Sequence, residues 1–204
     1  MTKQKNILIF LIAMCLFGCA GGKEMWVGKD YNMGNHPDKS IVFGEIGLKD
    51  AALIDPNADF IDLYNTKSGK RTYVNLGWAG NNFYITLPAG EYEITGIGRF
   101  AGLVGELMGM MLYDQPVKAK FTVNSNQQVV YIGKLQLEVV RDYCKQQVIV
   151  DSGLTVFDEY DSATKKFRSQ YPNIKNDISK NLIECISNCR TPGSPPLPGY
   201  KGCQ

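Results

Sequence analysis

A mainly β chain is what this sequence predicts: an antiparallel sandwich followed by a helical, disulfide-stapled extension. Three observations carry that prediction. Apolar and polar residues alternate with a period of two from Ser40 to Asp151, clusters of Asn, Gly and Pro punctuate the alternation, and a helical spacing appears only after Asp158. The 204 residues, 44% of them hydrophobic, suffice for one domain with its own core. A balance of 22 Lys and Arg against 20 Asp and Glu excludes a strongly basic nucleic-acid binder. The composition also excludes a collagen, a coiled coil and a polytopic membrane protein.

In chain order, Lys3 and Lys5 precede an uncharged apolar run, Ile7 to Phe17. As a helix that run is about 16 Å long, short of the ~30 Å of hydrocarbon it would need to cross. It therefore reads as the apolar region of a signal peptide over residues 1–18. The run ends in Leu16-Phe17-Gly18-Cys19, which resembles the lipobox of bacterial lipoproteins: an aliphatic residue, a variable one, a small one, then cysteine. The resemblance implies cleavage before Cys19 and acylation of its thiol and new amine, giving a membrane anchor by lipid. Phe17 is bulkier than the pattern favours, and bulky Met14 argues against Cys15. Ala20 stands where an aspartate would retain such a protein at the inner membrane of enteric-type bacteria, so the outer membrane is expected, on its periplasmic or surface face. Loss of Lys3 and Lys5 leaves 20 charges of each sign, a neutral mature protein with no general pull on DNA or anionic lipid. Residues 19–39, rich in Gly and Asn and without periodicity, read as the lipidated N-terminus and a tether.

The sandwich is expected over 40–151, with about eight strands. Phe83, Ile85 and Leu87 point one way and Tyr84 and Thr86 the other. Tyr92 and Ile94 oppose Glu91, Glu93 and Thr95; Val117, Ala119, Phe121 and Val123 oppose Lys118, Lys120 and Thr122; Leu135, Leu137 and Val139 oppose Lys134, Gln136 and Glu138. Such alternation marks strands covered on one face. Turns are expected at Asn65 to Gly69, Gly80 to Asn82, Pro88 to Gly90 and Asn124 to Asn126.

The segment from Phe83 through Leu87-Pro88-Ala89-Gly90-Glu91-Tyr92 to Ile94 resembles the L-P-x-G-x-Y-x-L hairpin of carboxypeptidase-regulatory-like (transthyretin-like) sandwiches. Phe121-Thr122-Val123 and Val129-Val130-Tyr131-Ile132-Gly133 resemble strands of bacterial lipoproteins with that domain. The resemblance covers about residues 80–140. It implies an Ig-like or prealbumin-like sandwich and carries no implication of an activity, because such domains serve as scaffolds.

Residues 152–204 are expected to hold two helices and a Pro- and Gly-rich tail. Tyr160, Ala163, Phe167 and Tyr171 share one face, with Asp158 as N-cap and Pro172 as stop. Ile174, Ile178, Leu182 and Ile186 recur every four residues after Asn173. In an exported chain Cys144, Cys185, Cys189 and Cys203 are expected in disulfides. Cys185 and Cys189 lie four apart on the expected second helix, where a bridge would strain it. The expected pairs are therefore Cys189–Cys203, pinning the tail, and Cys144–Cys185, stapling helix to sheet. A zinc site of the four lacks paired C-x2-C knuckles, and a redox pair lacks C-x-x-C.

No reaction is named by these residues. Gly96-x-Gly98-x-x-Ala101 matches a dinucleotide fingerprint, but no parallel βαβ series surrounds it, so a glycine-rich strand end is expected and no cofactor. Trp26, Trp78, Asn81 and Asn82 suggest a sugar-stacking platform; the plainer expectation puts Trp78 in the core and the asparagines in its turn. His36 is the single histidine and lies in the expected tether, which removes the usual triads and multi-histidine metal sites. Glu91 and Glu93 share a strand face but read as solvated. Asp158, Glu159 and Asp161 suit a helix N-terminus.

The apolar stretch Ala101 to Tyr113 is the candidate interaction segment, with Leu103, Leu107, Met108, Met110 and Met111 as partner-binding candidates; its plainer reading is a buried crossover. The expected function is a non-catalytic, lipid-anchored envelope module that binds a protein partner. The alternative is an envelope module that binds a glycan or a small apolar molecule.

Overall fold

The computed structural model describes residues 25–50, 58–76, 81–100, 111–142 and 148–197. Among them lie strands β1 (Ser40–Asp50), β2 (Phe60–Asn65), β3 (Arg71–Asn75), β4 (Asn82–Leu87), β5 (Gly90–Phe100), β6 (Met111–Val123), β7 (Val129–Asp142) and β8 (Val148–Phe157). Helix α1 (Tyr160–Gln170) follows, then the short strands β9 (Ile178–Lys180), β10 (Glu184–Ser187) and β11 (Cys189–Arg190). β8 runs through the domain boundary expected at 151.

The strands form two sheets. A six-stranded sheet has the order β11-β8-β7-β1-β4 with β9 beside β7, and a five-stranded sheet has the order β10-β6-β5-β2-β3. The five-stranded sheet is antiparallel throughout. The six-stranded sheet is mixed: β1 and β9 run parallel to β7, and β11 parallel to β8. A wholly antiparallel sandwich was the expectation. Parallel pairing arises because the chain visits the five-stranded sheet twice between β1 and β7, and so long a connection need not reverse direction.

Between the sheets lies the main core, which includes Val42, Ile46, Leu48, Ile61, Leu63, Phe83, Ile94, Phe121, Val130 and Leu135. The expected inward sets of β4 to β7 all face it. Pro88 and Ala89 carry the chain from β4 in one sheet to β5 in the other, so the L-P-x-G-x-Y segment is a crossing between sheets rather than a hairpin. The Tyr92 hydroxyl closes that corner by donating to the Pro88 carbonyl at 2.8 Å, four residues upstream. β7 bulges opposite Gly44 of β1, where Ile132 and Gly133, the latter at φ +107°, stand against one residue of β1. A Cβ on Gly44 would stand 2.5 Å from the Gly133 carbonyl oxygen and 2.9 Å from the Phe83 ring, so only glycine fits.

The outer face of the six-stranded sheet carries a second core. Ile41, Phe43, Tyr84, Val129 and Tyr131 meet Phe167 and Tyr171 of the α1 region, with Val27, Met33 and Ile174 at the margins. Phe167 is fully buried and stacks on Phe43 at 4.8 Å. The helix begins one residue later than the expected Asp158 cap allows: Glu159 is the N-cap and its side chain makes no capping bond, while the Asp158 carboxylate accepts from the Tyr160 N–H and the Glu159 N–H donates to the Tyr131 hydroxyl. It stops at Tyr171, before Pro172.

Three expectations fail. The second helix does not form. Ile174 is buried under α1, Ile178 lies in β9, and Leu182 and Ile186 are exposed. The edge of β7 beyond the reach of β8 and the open edge of β6 offer this backbone more hydrogen bonds than a short Asn- and Lys-rich helix would. The expected tether from residue 25 onward is packed instead. Trp26 bridges Ile85 on the β4 edge, the Val27 N–H donates to the Tyr84 carbonyl, and Val27 and Met33 are buried. Gln127, itself at φ +63°, holds the segment by donating its amide to the carbonyls of Met33, His36 and Lys39.

The expected disulfide pairing also fails: Cys185 is bonded to Cys189. The objection to that pair assumed a helix. Here the two lie on β10 and β11, joined through Asn188 at φ +55°, with Cα atoms 5.7 Å apart, a normal disulfide span. The bond ties an edge strand of one sheet to an edge strand of the other. Cys144 and Cys203 lie outside the described residues. The tail needs no bridge as far as Leu197: Glu138 accepts from the Leu197 N–H and pairs with Lys49, and Arg190 donates to the Pro195 carbonyl.

Candidate functional site

A recess of about 760 Å³ lies where α1 overhangs the β4 edge. Three elements build it. β4 supplies Asn82 and Tyr84. The segment paired to its edge supplies Trp26 and Val27, and the helix supplies Ser162, Lys165, Lys166, Ser169 and Gln170, with Tyr171 closing the end. The helical residues fall at i, i+3, i+4, i+7 and i+8, one polar stripe beside the face that buries Phe167.

Aromatic rings form the inner wall. Tyr84 packs against Tyr171 edge-on at 5.2 Å, and the Tyr171 hydroxyl donates to the Val27 carbonyl at 2.9 Å. Burial, reinforced by Tyr84, pushes the Tyr171 phenol up to about 12, and burial beside Glu45 also raises that of Tyr84. Both remain neutral hydrogen-bonding groups at physiological pH. No acid lines the groove. The nearest, Glu45, lines the small adjoining recess under the helix, where it pairs with Lys134 at 3.1 Å and Lys166 at 3.7 Å. Burial works against charge on Lys134, but hydrogen bonds to Glu159 and Glu45 outweigh it and raise its pKa. Lys165 is exposed and has no ion-pair partner among the described residues.

The other candidates separate. Gly96 and Gly98 sit inside β5, paired with β2 and β6, so no phosphate-cradling turn forms there. His36 stacks on Tyr31 at 4.9 Å. Glu91 is exposed, and Glu93 lies opposite Lys120 on the outer face of the five-stranded sheet. Asp158 pairs with Lys180 at 2.9 Å, which holds its carboxyl below the usual range. Glu159 pairs with Lys134. Among the described residues no cluster of three His, Cys, Asp or Glu side chains could hold a metal, and no helix is long and apolar enough to cross a membrane. Cys19, Leu103, Leu107, Met108, Met110 and Trp78 lie outside the described residues. Met111 opens β6 opposite Phe100.

Trp26 and Asn82, from the platform that the sequence disfavoured, do come together, and Tyr84, Tyr171, Lys165 and Lys166 join them. The sequence carried a signal for each: Tyr84 points away from the inward set of its strand, and the helix has a polar stripe. What linked them was the packing of residues 25–27 on the β4 edge, which a tether reading hides.

No family model, curated protein or solved structure matches the chain.

Proposed function

We propose that this is an exported lipoprotein of the bacterial envelope, cleaved before Cys19, acylated there, and acting as a non-catalytic binding module close to the membrane. The observation that carries the proposal is the order of Lys3 and Lys5, the apolar run Ile7 to Phe17, and Gly18-Cys19. Three acyl chains hold such a protein durably, where one alone binds weakly. The lipidated cysteine and Trp26 are seven residues apart, about 25 Å at full extension. The groove then lies within reach of the headgroup layer. Ala20 supports outer-membrane placement, and the Leu87-Pro88-Ala89-Gly90-Glu91-Tyr92 segment supports a transthyretin-like sandwich.

The test is expression of the full chain and of Cys19→Ala, followed by membrane fractionation and intact mass. The expected result is a mature mass that begins at Cys19 with added acyl chains, in the membrane fraction, and a variant that is soluble or uncleaved. An unmodified Cys19 overturns the proposal. For a protein partner, the proposed contact is the apolar stretch Leu103 to Met111. Crosslinking in native membranes tests it: the Leu107→Asp, Met110→Asp double variant is expected to lose a captured partner while remaining folded. The alternative, a ligand-binding module, is favoured by the groove under α1.

A further inference from the structure

We propose that the groove between α1 and the β4 edge binds an acidic saccharide, a sugar carrying a carboxylate. The inference rests on the binding-module reading and specifies its ligand; it does not depend on the anchor. Three features of the lining point to this chemistry together. First, the half-buried Trp26 presents aromatic surface at one wall, backed by the buried rings of Tyr84 and Tyr171, and the C–H face of a pyranose ring packs on such surface. Second, Asn82, Ser162, Ser169 and Gln170 offer neutral donors and acceptors, suited to a ligand that carries many hydroxyls. Third, two lysines and no acid line the groove, so its charge complements an anion. The volume of about 760 Å³ lies within the ~300–1,000 Å³ of small-ligand sites.

The lining also orients the ligand. Ser169, Gln170 and Tyr171 stand at the C-terminal end of α1, whose partial negative charge favours donors and disfavours anions. The sugar hydroxyls belong there. The carboxylate belongs one to two turns earlier, at Lys165 and Lys166. Lys165 is the stronger candidate, since Lys166 already shares Glu45 with Lys134.

The experiment is calorimetric titration of the full mature chain in a polyoxyethylene detergent, with tryptophan fluorescence read in parallel. The probes are trigalacturonate, its uncharged methyl ester, and phosphatidylglycerol in mixed micelles with the same detergent as competitor. Trigalacturonate is expected to bind and to shift the fluorescence, with the ester about fivefold weaker. Lys165→Gln is expected to weaken the acid about fivefold and leave the ester unchanged. Trp26→Ala is expected to weaken both about tenfold. Lys165 is exposed and unpaired, so its variant keeps the fold even where loss of Trp26 disturbs the β4 edge. Equal affinity for acid and ester overturns the proposal, as does binding that Lys165→Gln leaves unchanged. A fluorescence response to phosphatidylglycerol with none to the saccharide assigns the site to an anionic headgroup and likewise overturns it. Neither result alters the fractionation of Cys19→Ala, so failure here and failure of the anchor are distinguishable.

Discussion

In the first halves of β1 and β7, Ile41 to Phe43 and Val129 to Ile132, a side chain is buried whichever way it points. Val42 and Val130 enter the space between the sheets, while Ile41, Phe43, Val129 and Tyr131 enter the space under α1. In β5 and β6 only one direction is dry. Tyr92, Ile94, Ala119 and Phe121 face the core, and Glu91, Lys118 and Lys120 face water. The same alternation of Cβ directions thus serves two situations, a central layer and an outer one. The lesson is that, among the described residues, the fold adds a further element on the outer face of the six-stranded sheet and leaves a groove beside it.

Variants can break or sharpen this contrast. The largest effect is expected at Phe167→Ala, which empties the space against Phe43, Tyr84 and Tyr171. It should cost about 3–5 kcal/mol in denaturant unfolding; a loss below ~1 kcal/mol would mean that the helix adds little to the sheet it covers. Next is Cys189→Ser, which unties the edges of the two sheets at their shared corner. For so short a loop the loss should be about 2 kcal/mol, and non-reducing peptide mapping of the native chain should recover Cys185 joined to Cys189. Tyr92→Phe keeps the ring stacked on Phe121 and removes the hydroxyl with its bonds to the Pro88 carbonyl and the Asn65 side chain, so about 1 kcal/mol is expected from the same titration. The smallest effect belongs to the wet face. Lys120→Gln breaks an exposed pair with Glu184 and should shift stability by no more than about 0.5 kcal/mol. A large change there would show that the outer face of the five-stranded sheet is covered after all.

Much of the wet sheet was legible, because period-two alternation is the signal of a half-buried strand, and the inward sets of β5 and β6 follow it residue by residue. The dry sheet was legible only in part. Ile41-Val42-Phe43 and Val129-Val130-Tyr131-Ile132 are unbroken apolar runs, which mark burial on both faces, but alternation alone did not say which sheet face the helix after Asp158 covers. After Asn173 the isoleucine spacing resembled a helix, yet open strand edges captured the backbone, a tertiary effect that local periodicity does not contain. The same error misled the cysteine pairing, since the distance between Cys185 and Cys189 depends on which structure joins them. For the groove, each wall was visible separately. Their meeting depends on the Trp26–Ile85 bridge, the Val27–Tyr84 hydrogen bond and the Tyr171 hydroxyl on the Val27 carbonyl, and nothing near Trp26 in the chain announces those contacts.

The pairing of residues 25–27 with β4 has a mechanical consequence. A pull on the chain from its N-terminal side reaches the Trp26–Ile85 bridge and the Val27–Tyr84 hydrogen bond before it reaches any strand of the sandwich interior. Those contacts also carry one wall of the groove. Tension on the leader of this domain would therefore peel Trp26 from the rim first, so that load and ligand compete for the same two residues, Trp26 and Val27.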